Sequence, residues 1–430
     1  MSDISLRERR YRRISQFHDV EEVLSQVVPK IRAKPSLLKV RTRVAVGRIL
    51  AEDIPAPRNL PPFHMSHVDG FAARSCDTER ASEDSPVGLS VAGTVRPGES
   101  GGRIEAGQAF RIFTGGYLPE GADTVIPQED VVAGGEVVYV TRPYATLENV
   151  VPSGSDVMRG QVIAKKGEVL AVTKASLLET LGVYEVTVSE APRVSILSFG
   201  DELTDDPAEA ERGKILNTHA LTVSEMVRAL CCDVVRMLIV PDKPEAVSDA
   251  ISESVEDSHC ILTIGGSSVG DIDLVGTELR RRSELFIQGL KLQPGRVGGV
   301  AVVDGKPVIM LPGLIHSTVN VFNYLAAPIL AHILEMSLNQ LVLNVEASMN
   351  ESVELQRWLN FKRVVWVTLR IRGDGKYEAY PNVADASNIS SISKSHGFIE
   401  VPPGKSFISL GERVSVRIPL WITRCLAETK

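Results

Sequence analysis

The chain lacks most of what would commit it to a specialised environment. Five cysteines among 430 residues form no C-x-x-C pair and no metal-ligand spacing. This excludes a disulfide framework and a thiolate zinc site. Cys260 and the pair Cys231 and Cys232 lie in apolar segments and read as core thiols, so a reducing, cytoplasmic setting is expected. No apolar run approaches the roughly 18 residues of a membrane span. The opening MSDISLRERRYRR is charged and has no apolar run behind it, unlike a secretory signal. Positive charge is also short: the net charge is −7, which disfavours broad binding to nucleic acid or anionic membranes. Aromatics make up only 5%, so the cores must rest on Val, Ile, Leu and Ala. There is no Walker A loop, no G-x-G-x-x-G turn and no persuasive Ser/His/Asp spacing. His64 and His67 have no third ligand placed beside them, which argues against zinc.

What is present divides into zones. The length exceeds one ordinary core, so two to four domains are expected. Residues 20–31 have helical apolar spacing, and 44–50 continue it until Pro55 and Pro57. Short runs punctuated by Gly and Pro over 58–147 predict a small β-rich domain. A helix is expected at 173–181, ended by Gly182. From 193 to 336 apolar strands alternate with helices: strands at 193–199, 234–240, 260–264 and 306–311, helices at 220–231, 244–255, 273–282 and 315–336. That alternation predicts an α/β domain with a mostly parallel sheet. The last ninety residues read as a small β-barrel or sandwich.

The chemistry gathers at the predicted strand ends. The stretch CILTIGGSSVGDIDL (260–274) is a buried strand, a glycine turn and a helix entrance. Gly265 and Gly266 let backbone N–H groups approach a ligand, and Ser267 and Ser268 add hydroxyls. Taken alone, this is equally a plain strand-to-helix loop. Gly200, Asp201 and Glu202 end another predicted strand, and Pro312 and Gly313 a third. Ligands sit at such carboxyl ends in parallel sheets, which favours an anion site. Asp201, Glu202, Asp271 and Asp273 could together hold a hard cation such as Mg²⁺, or merely cap the next segments. Lys291 and Arg296 flank Pro294 and Gly295 and read either as a phosphate cradle or as a solvated basic turn. On residues alone, Asp69 before Gly70 is an ordinary Asp-Gly turn, and Thr114 belongs to a tight turn.

Seven motifs change that balance: SHVDGFA (66–72), RIFTGGYLPEGADTVIPQED (111–130), PSGSDV (152–157), FGDEL (199–203), GGSSVGDID (265–273), LQPGR (292–296) and MLPG (310–313). With them the chain resembles the molybdopterin molybdotransferase family, of the MoeA and gephyrin E-domain type, from about residue 17 to the end. The resemblance implies a multidomain α/β plus β fold. An elongated discontinuous domain (17–57 and 148–190) surrounds the small β-rich domain (58–147). A MogA-like α/β molybdopterin-binding domain (191–336) and a C-terminal β-barrel (337–430) follow. It implies a homodimer, with each active site between the α/β domain of one subunit and the small β domain of the other. The implied reaction is Mg²⁺-dependent insertion of molybdate, or tungstate, into adenylylated molybdopterin with release of AMP. A molybdopterin adenylyltransferase is a further implied partner.

Carried over by motif, Asp69, Thr114, Glu202 and Asp273 match catalytic positions, and Asp156 the Asp after a glycine turn. Asp201, Glu202, Asp271 and Asp273 match the metal side. Gly265, Gly266, Ser267, Ser268, Lys291, Arg296, Asn217, Pro312 and Gly313 match the pterin and nucleotide side. The chain departs from the family pattern at Asn217, Thr218 and His219, at His259, at Arg296 and Val297, and at Leu314 and Ile315. These departures are expected to gather in the pterin pocket. They motivate an alternative reading: a diverged, non-catalytic paralogue that binds a pterin, a nucleotide or a partner protein. A scaffold whose dimer is itself the functional product is a third.

Overall fold

The computed structural model describes residue 14 and residues 16–266 and 273–422. Two separated stretches build the first unit. Leu37–Arg41 pairs antiparallel with Glu185–Ser189, and Ile54–Pro55 with Val162–Ala164. The helix Val172–Thr180 closes a core of Leu50, Ile54, Leu170, Leu178 and Val188. The helix expected over 44–50 does not form. A 3₁₀ turn at Thr42–Val44 is followed by Gly47 at φ 80°, which breaks helical geometry, and Ile49 and Leu50 make β-bridges instead.

Between those stretches lies a six-stranded mixed sheet. Gly70–Ala73 sits between Thr124–Pro127 and Gln108–Ile112, with Val87–Val95, Val137–Val140 and Val131–Gly134 beyond. Its interior is small and mostly aliphatic, with Tyr144 buried in it and Phe71 and Phe110 packed against it.

The α/β unit runs β1 (Arg193–Phe199), α1 (Thr218–Ala229), β2 (Asp233–Val240), α2 (Pro244–Asp257), β3 (Cys260–Gly265), α3 (Leu274–Arg282), β4 (Leu285–Gln288), β5 (Gly299–Val303), β6 (Lys306–Leu311) and α4 (Ile315–Val321). The sheet order is β2-β1-β3-β6-β5-β4. The first four strands are parallel; β5 and β4 add antiparallel. β1, β3 and β6 are buried along nearly their whole length, as strands covered on both faces must be. β4 and β5 fall outside the strand–helix alternation because residues 289–298, which join them, form no helix. After α4 the chain passes through a π-turn at Phe322–Ala326 into the helix Ala327–Ile333, all deep in the main core.

The C-terminal unit is a closed five-stranded barrel. Lys362–Ile371 pairs with both Tyr377–Pro381 and Gly397–Val401; Val342–Met349 and Arg413–Pro419 complete the circuit. Leu292–Gln293 of the α/β unit adds in parallel to its edge at Lys362 and Arg363. That pairing ties the 292–296 loop to the barrel. No helix among the described residues is long and apolar enough to cross a membrane.

Candidate functional site

A cavity of about 540 Å³ opens where the carboxyl ends of β1, β3 and β6 meet. It takes its floor from Phe199, Ile264, Gly265 and Gly266, and one wall from Pro312, Gly313 and Leu314. Asn217, Thr218 and His219 enter from the start of α1, and Gln293 to Val297 from the loop held by the barrel. Glu202 lies at the rim.

The floor demands glycine. Gly265 and Gly266 have φ of 75° and 65°, where L side chains are strained. A Cβ on Gly266 would lie 2.5 Å from Val275 Cγ2 and 2.8 Å from Phe199 Cβ. The turn can therefore pack tightly onto β1 and α3 only without a side chain.

Among the described residues the buried Asn217 Nδ2 and Gln293 Oε1 of the walls find no hydrogen-bond partner. Asn217 is 8% exposed and stands at the N-cap position of α1, yet its side chain makes no cap hydrogen bond. A buried amide left without its partner costs on the order of 1–3 kcal/mol. Both residues line the cavity, so a ligand that presents an acceptor and a donor would suit this pair. His219 is half-buried; burial lowers its pKa, and a hydrogen bond with the Gly313 backbone partly opposes this. Arg296 supplies a cation, its guanidinium carbon 3.8 Å from the ring centre of Trp358.

At the rim three carboxylates crowd together. The Asp201 carboxylate accepts the Asp242 N–H at 3.2 Å. Asp242 is pushed up by burial first and then by the charges of Asp201 and Glu202. Among the described residues no group of three His, Cys, Asp or Glu side chains has the arrangement of a metal cage. Mg²⁺ commonly takes only one or two carboxylates and completes its shell with phosphate and water, so the donor set fits such an ion.

Other sequence candidates lie elsewhere. Asp69 accepts the backbone N–H and the hydroxyl of Thr114 at 2.7 and 2.8 Å. These bonds, the backbone one foremost, lower the Asp69 pKa, with Arg111 adding a smaller effect. The pair stands in the small β sheet's loops, and residues 58–147 contribute nothing to the cavity wall. Asp156 is exposed in the 152–157 turn, its N–H bonded to the Leu60 carbonyl. Asp273 caps α3: one oxygen accepts the Gly276 N–H at 2.8 Å, the other the Gln288 amide at 3.4 Å. Lys291 is bonded to Asp19 at 2.8 Å, outside the cavity lining. Ser267, Ser268 and Asp271 lie outside the described residues.

One expectation is overturned. His259 is no part of the cavity. It stands at the amino end of β3, where its Nδ1 accepts the Arg193 N–H at 2.9 Å and its own N–H bonds to the Arg193 carbonyl. A strand rises about 3.3 Å per residue, so six residues before the glycine pair means the opposite edge of the sheet. Asn217, Thr218, His219, Arg296, Val297 and Leu314 do line the cavity; the buried Ile315 lies beside it. Sequence reading missed Gln293, Asp242 and Ala386. Asp242 follows the end of β2, where the strand-end rule would have found it. Ala386 comes from the barrel, and no local signal announces it.

Comparison with known proteins agrees across the chain. The MoeA N-terminal region (domain I and II) matches residues 17–182. The family described as "Probable molybdopterin binding domain" matches 195–332, and the MoeA C-terminal region (domain IV) matches 354–418. A Methanocaldococcus jannaschii protein named for molybdopterin biosynthesis is 30% identical over 380 residues, 86% of this chain and 89% of that one. The molybdopterin molybdenumtransferase of Haemophilus influenzae is 29% identical over 377 residues, 86% of this chain and 91% of its own. The crystal structure of a molybdopterin biosynthesis MoeA protein from a Pyrococcus species superposes with a TM-score of 0.83 at 29% identity. It covers 94% of this chain and 99% of the other.

Proposed function

Since this chain belongs to the MoeA family, we propose that it is the transferase that inserts molybdate into adenylylated molybdopterin and releases AMP. Molybdenum cofactor biosynthesis is the family's process, and molybdopterin molybdenumtransferase the activity for which its relatives are named. The observation that carries the finer reading is the cavity wall. It offers an unpartnered buried donor at Asn217, an unpartnered acceptor at Gln293 and a cation at Arg296 beside apolar surfaces. A heteroaromatic ring with donors and acceptors on its edge and an anionic tail matches that set. The Gly265–Gly266 turn brings backbone close to the anion, and Ile264, Leu216 and Leu314 exclude water from the ring. Asp201 and Glu202 would hold Mg²⁺, which neutralises charge on a phosphoanhydride. Incubation with adenylylated molybdopterin, molybdate and Mg²⁺ should release AMP and yield a product that activates an apo-molybdoenzyme. If neither occurs, turnover is excluded. Tungstate in place of molybdate, in the same assay, sets the metal preference.

The reading includes a homodimer. Asp69 and Thr114 do not line the cavity of their own chain, and a second copy would bring them to it. Asp69→Asn and Glu202→Gln should each lose at least 100-fold in turnover. Mixed after dissociation, the two should regain up to about a quarter of parent activity. Full inactivity of a mixture shown to exchange subunits would refute shared sites.

Binding without turnover is favoured by one observation: Asn217, His219, Arg296, Val297 and Leu314, all departures from the family pattern, line the same cavity. Tight binding of molybdopterin by calorimetry, with no AMP released, decides for that reading.

A further inference from the structure

Arg296 is the cation of the cavity wall, and the residue that faces its guanidinium comes from a different unit of the chain. Trp358 precedes the barrel strand Lys362–Ile371, and its indole lies 3.8 Å from the guanidinium carbon. That separation is face-on contact, in which the ring's negative face meets a delocalised cation. Trp358 holds φ of 58°, a left-handed conformation that bulky L residues rarely adopt. Its surroundings fix it there. The Phe361 N–H bonds to the Trp358 carbonyl, the Phe361 ring meets the indole edge-on at 5.0 Å, and Phe17 packs on Phe361 at 5.2 Å.

The Arg296 backbone is fixed as well. Asn320, fully buried on α4, donates its amide to the Pro294 carbonyl at 3.0 Å and accepts the Trp366 indole N–H at 3.0 Å. Leu292–Gln293 is paired to the barrel edge just before it. The loop is thus anchored beneath, and the side chain is clamped from the side.

We propose that Trp358 is a positioning residue that holds the Arg296 guanidinium flat against the cavity wall, so that an oxyanion meets an already oriented fork of N–H donors. A free arginine side chain would have to be ordered on binding; one stacked on an indole has less freedom left to lose. This inference rests on the reading of the cavity as an oxyanion and pterin site.

The test titrates sodium molybdate into the full-length protein by calorimetry and measures KM and kcat for molybdate in the insertion assay. Trp358→Ala should weaken molybdate binding about five- to tenfold and raise KM in step, with kcat within twofold. Trp358→Phe keeps a π face and should stay within about threefold of the parent. Trp358→Leu, apolar but without a π face, should behave like Trp358→Ala. The Phe and Leu pair decides the matter even where the Ala variant unfolds. If Leu binds as well as Phe, the indole merely fills space and the inference falls. If Trp358→Ala matches the parent while Arg296→Ala loses affinity, the inference falls and the reading of the cavity stands. If Arg296→Ala is also silent, oxyanion binding at this wall is refuted and the inference goes with it.

Discussion

The two edges of the α/β sheet are built from the same strands and finished in opposite ways. At the amino edge most polar groups have found a partner. His259 Nδ1 takes the Arg193 N–H, the Ser195 and Ser258 hydroxyls meet at 2.6 Å, and Lys306 donates to the Val255 carbonyl. At the carboxyl edge Asn217 Nδ2 and Gln293 Oε1 are buried without partners, the floor is two left-handed glycines, and three carboxylates repel one another. The amino edge is largely paired as folded, the buried Ser254 hydroxyl excepted. The other leaves a donor and an acceptor for which no protein partner is found among the described residues. Saturation of hydrogen bonds, more than residue type, separates His259, paired at the amino edge, from Asn217, which lines the cavity with its amide unpaired.

That contrast can be broken most forcefully at its tightest point. Gly266→Val should cost about 2–4 kcal/mol, combining a left-handed backbone with overpacking on Val275 and Phe199. Turnover should fall at least 100-fold. A variant with parent-like denaturation and turnover would show that the floor is not close-packed. Next in size, Asn217→Ala should lower affinity for molybdopterin at least tenfold while leaving the stability of the free protein within about 1 kcal/mol, because the lost donor had no partner to lose. Loss of stability equal to the loss of binding would mean that Asn217 is structural. At the other edge His259→Ala removes an accepted hydrogen bond and should cost about 1 kcal/mol, with kcat/KM within twofold. A tenfold drop in kcat/KM would restore His259 to the site.

The smallest effect is one of pH. Burial lowers the pKa of His219 at the carboxyl edge and of His259 at the amino edge. Below the ordinary histidine value near 6.5, the unfolded chain therefore binds protons that the folded chain declines. Stability should be fully present above that value and fall as pH drops through it. Denaturant midpoints at pH 7.5 and 5.5 measure the loss, and His259→Gln should reduce it. An unchanged difference in that variant would place the titration elsewhere.

Much of this was legible in the sequence, for identifiable reasons. The runs at 193–199, 260–264 and 306–311 are apolar because those strands are covered on both faces, so the alternation placed three strand ends and hence the cavity. Glycine at 265 and 266 announced a turn that only glycine can make. Asp69 and Thr114 were legible only through the family motif. They are 45 residues apart, and it is the pairing of Gly70–Ala73 with Gln108–Ile112 that brings them together. Gln293 stood inside the LQPGR motif with nothing to single it out, and Ala386 was invisible, since their place in the wall depends on how the barrel docks. His259 was misplaced because proximity in sequence was taken for proximity in space, and an extended strand separates what a helix would keep close.

The docking of the barrel has a consequence of its own. Ala386 lines the cavity, its carbonyl accepts the His316 N–H, and the His316 ring bonds to Ser391 across the same junction. A molecule in the cavity therefore touches two units of the chain at once. It acts as a reversible crosslink whose strength rises with its concentration. Occupancy should merge the melting of the α/β unit and the barrel into one cooperative event, so the substrate itself sets how far the enzyme behaves as a single body.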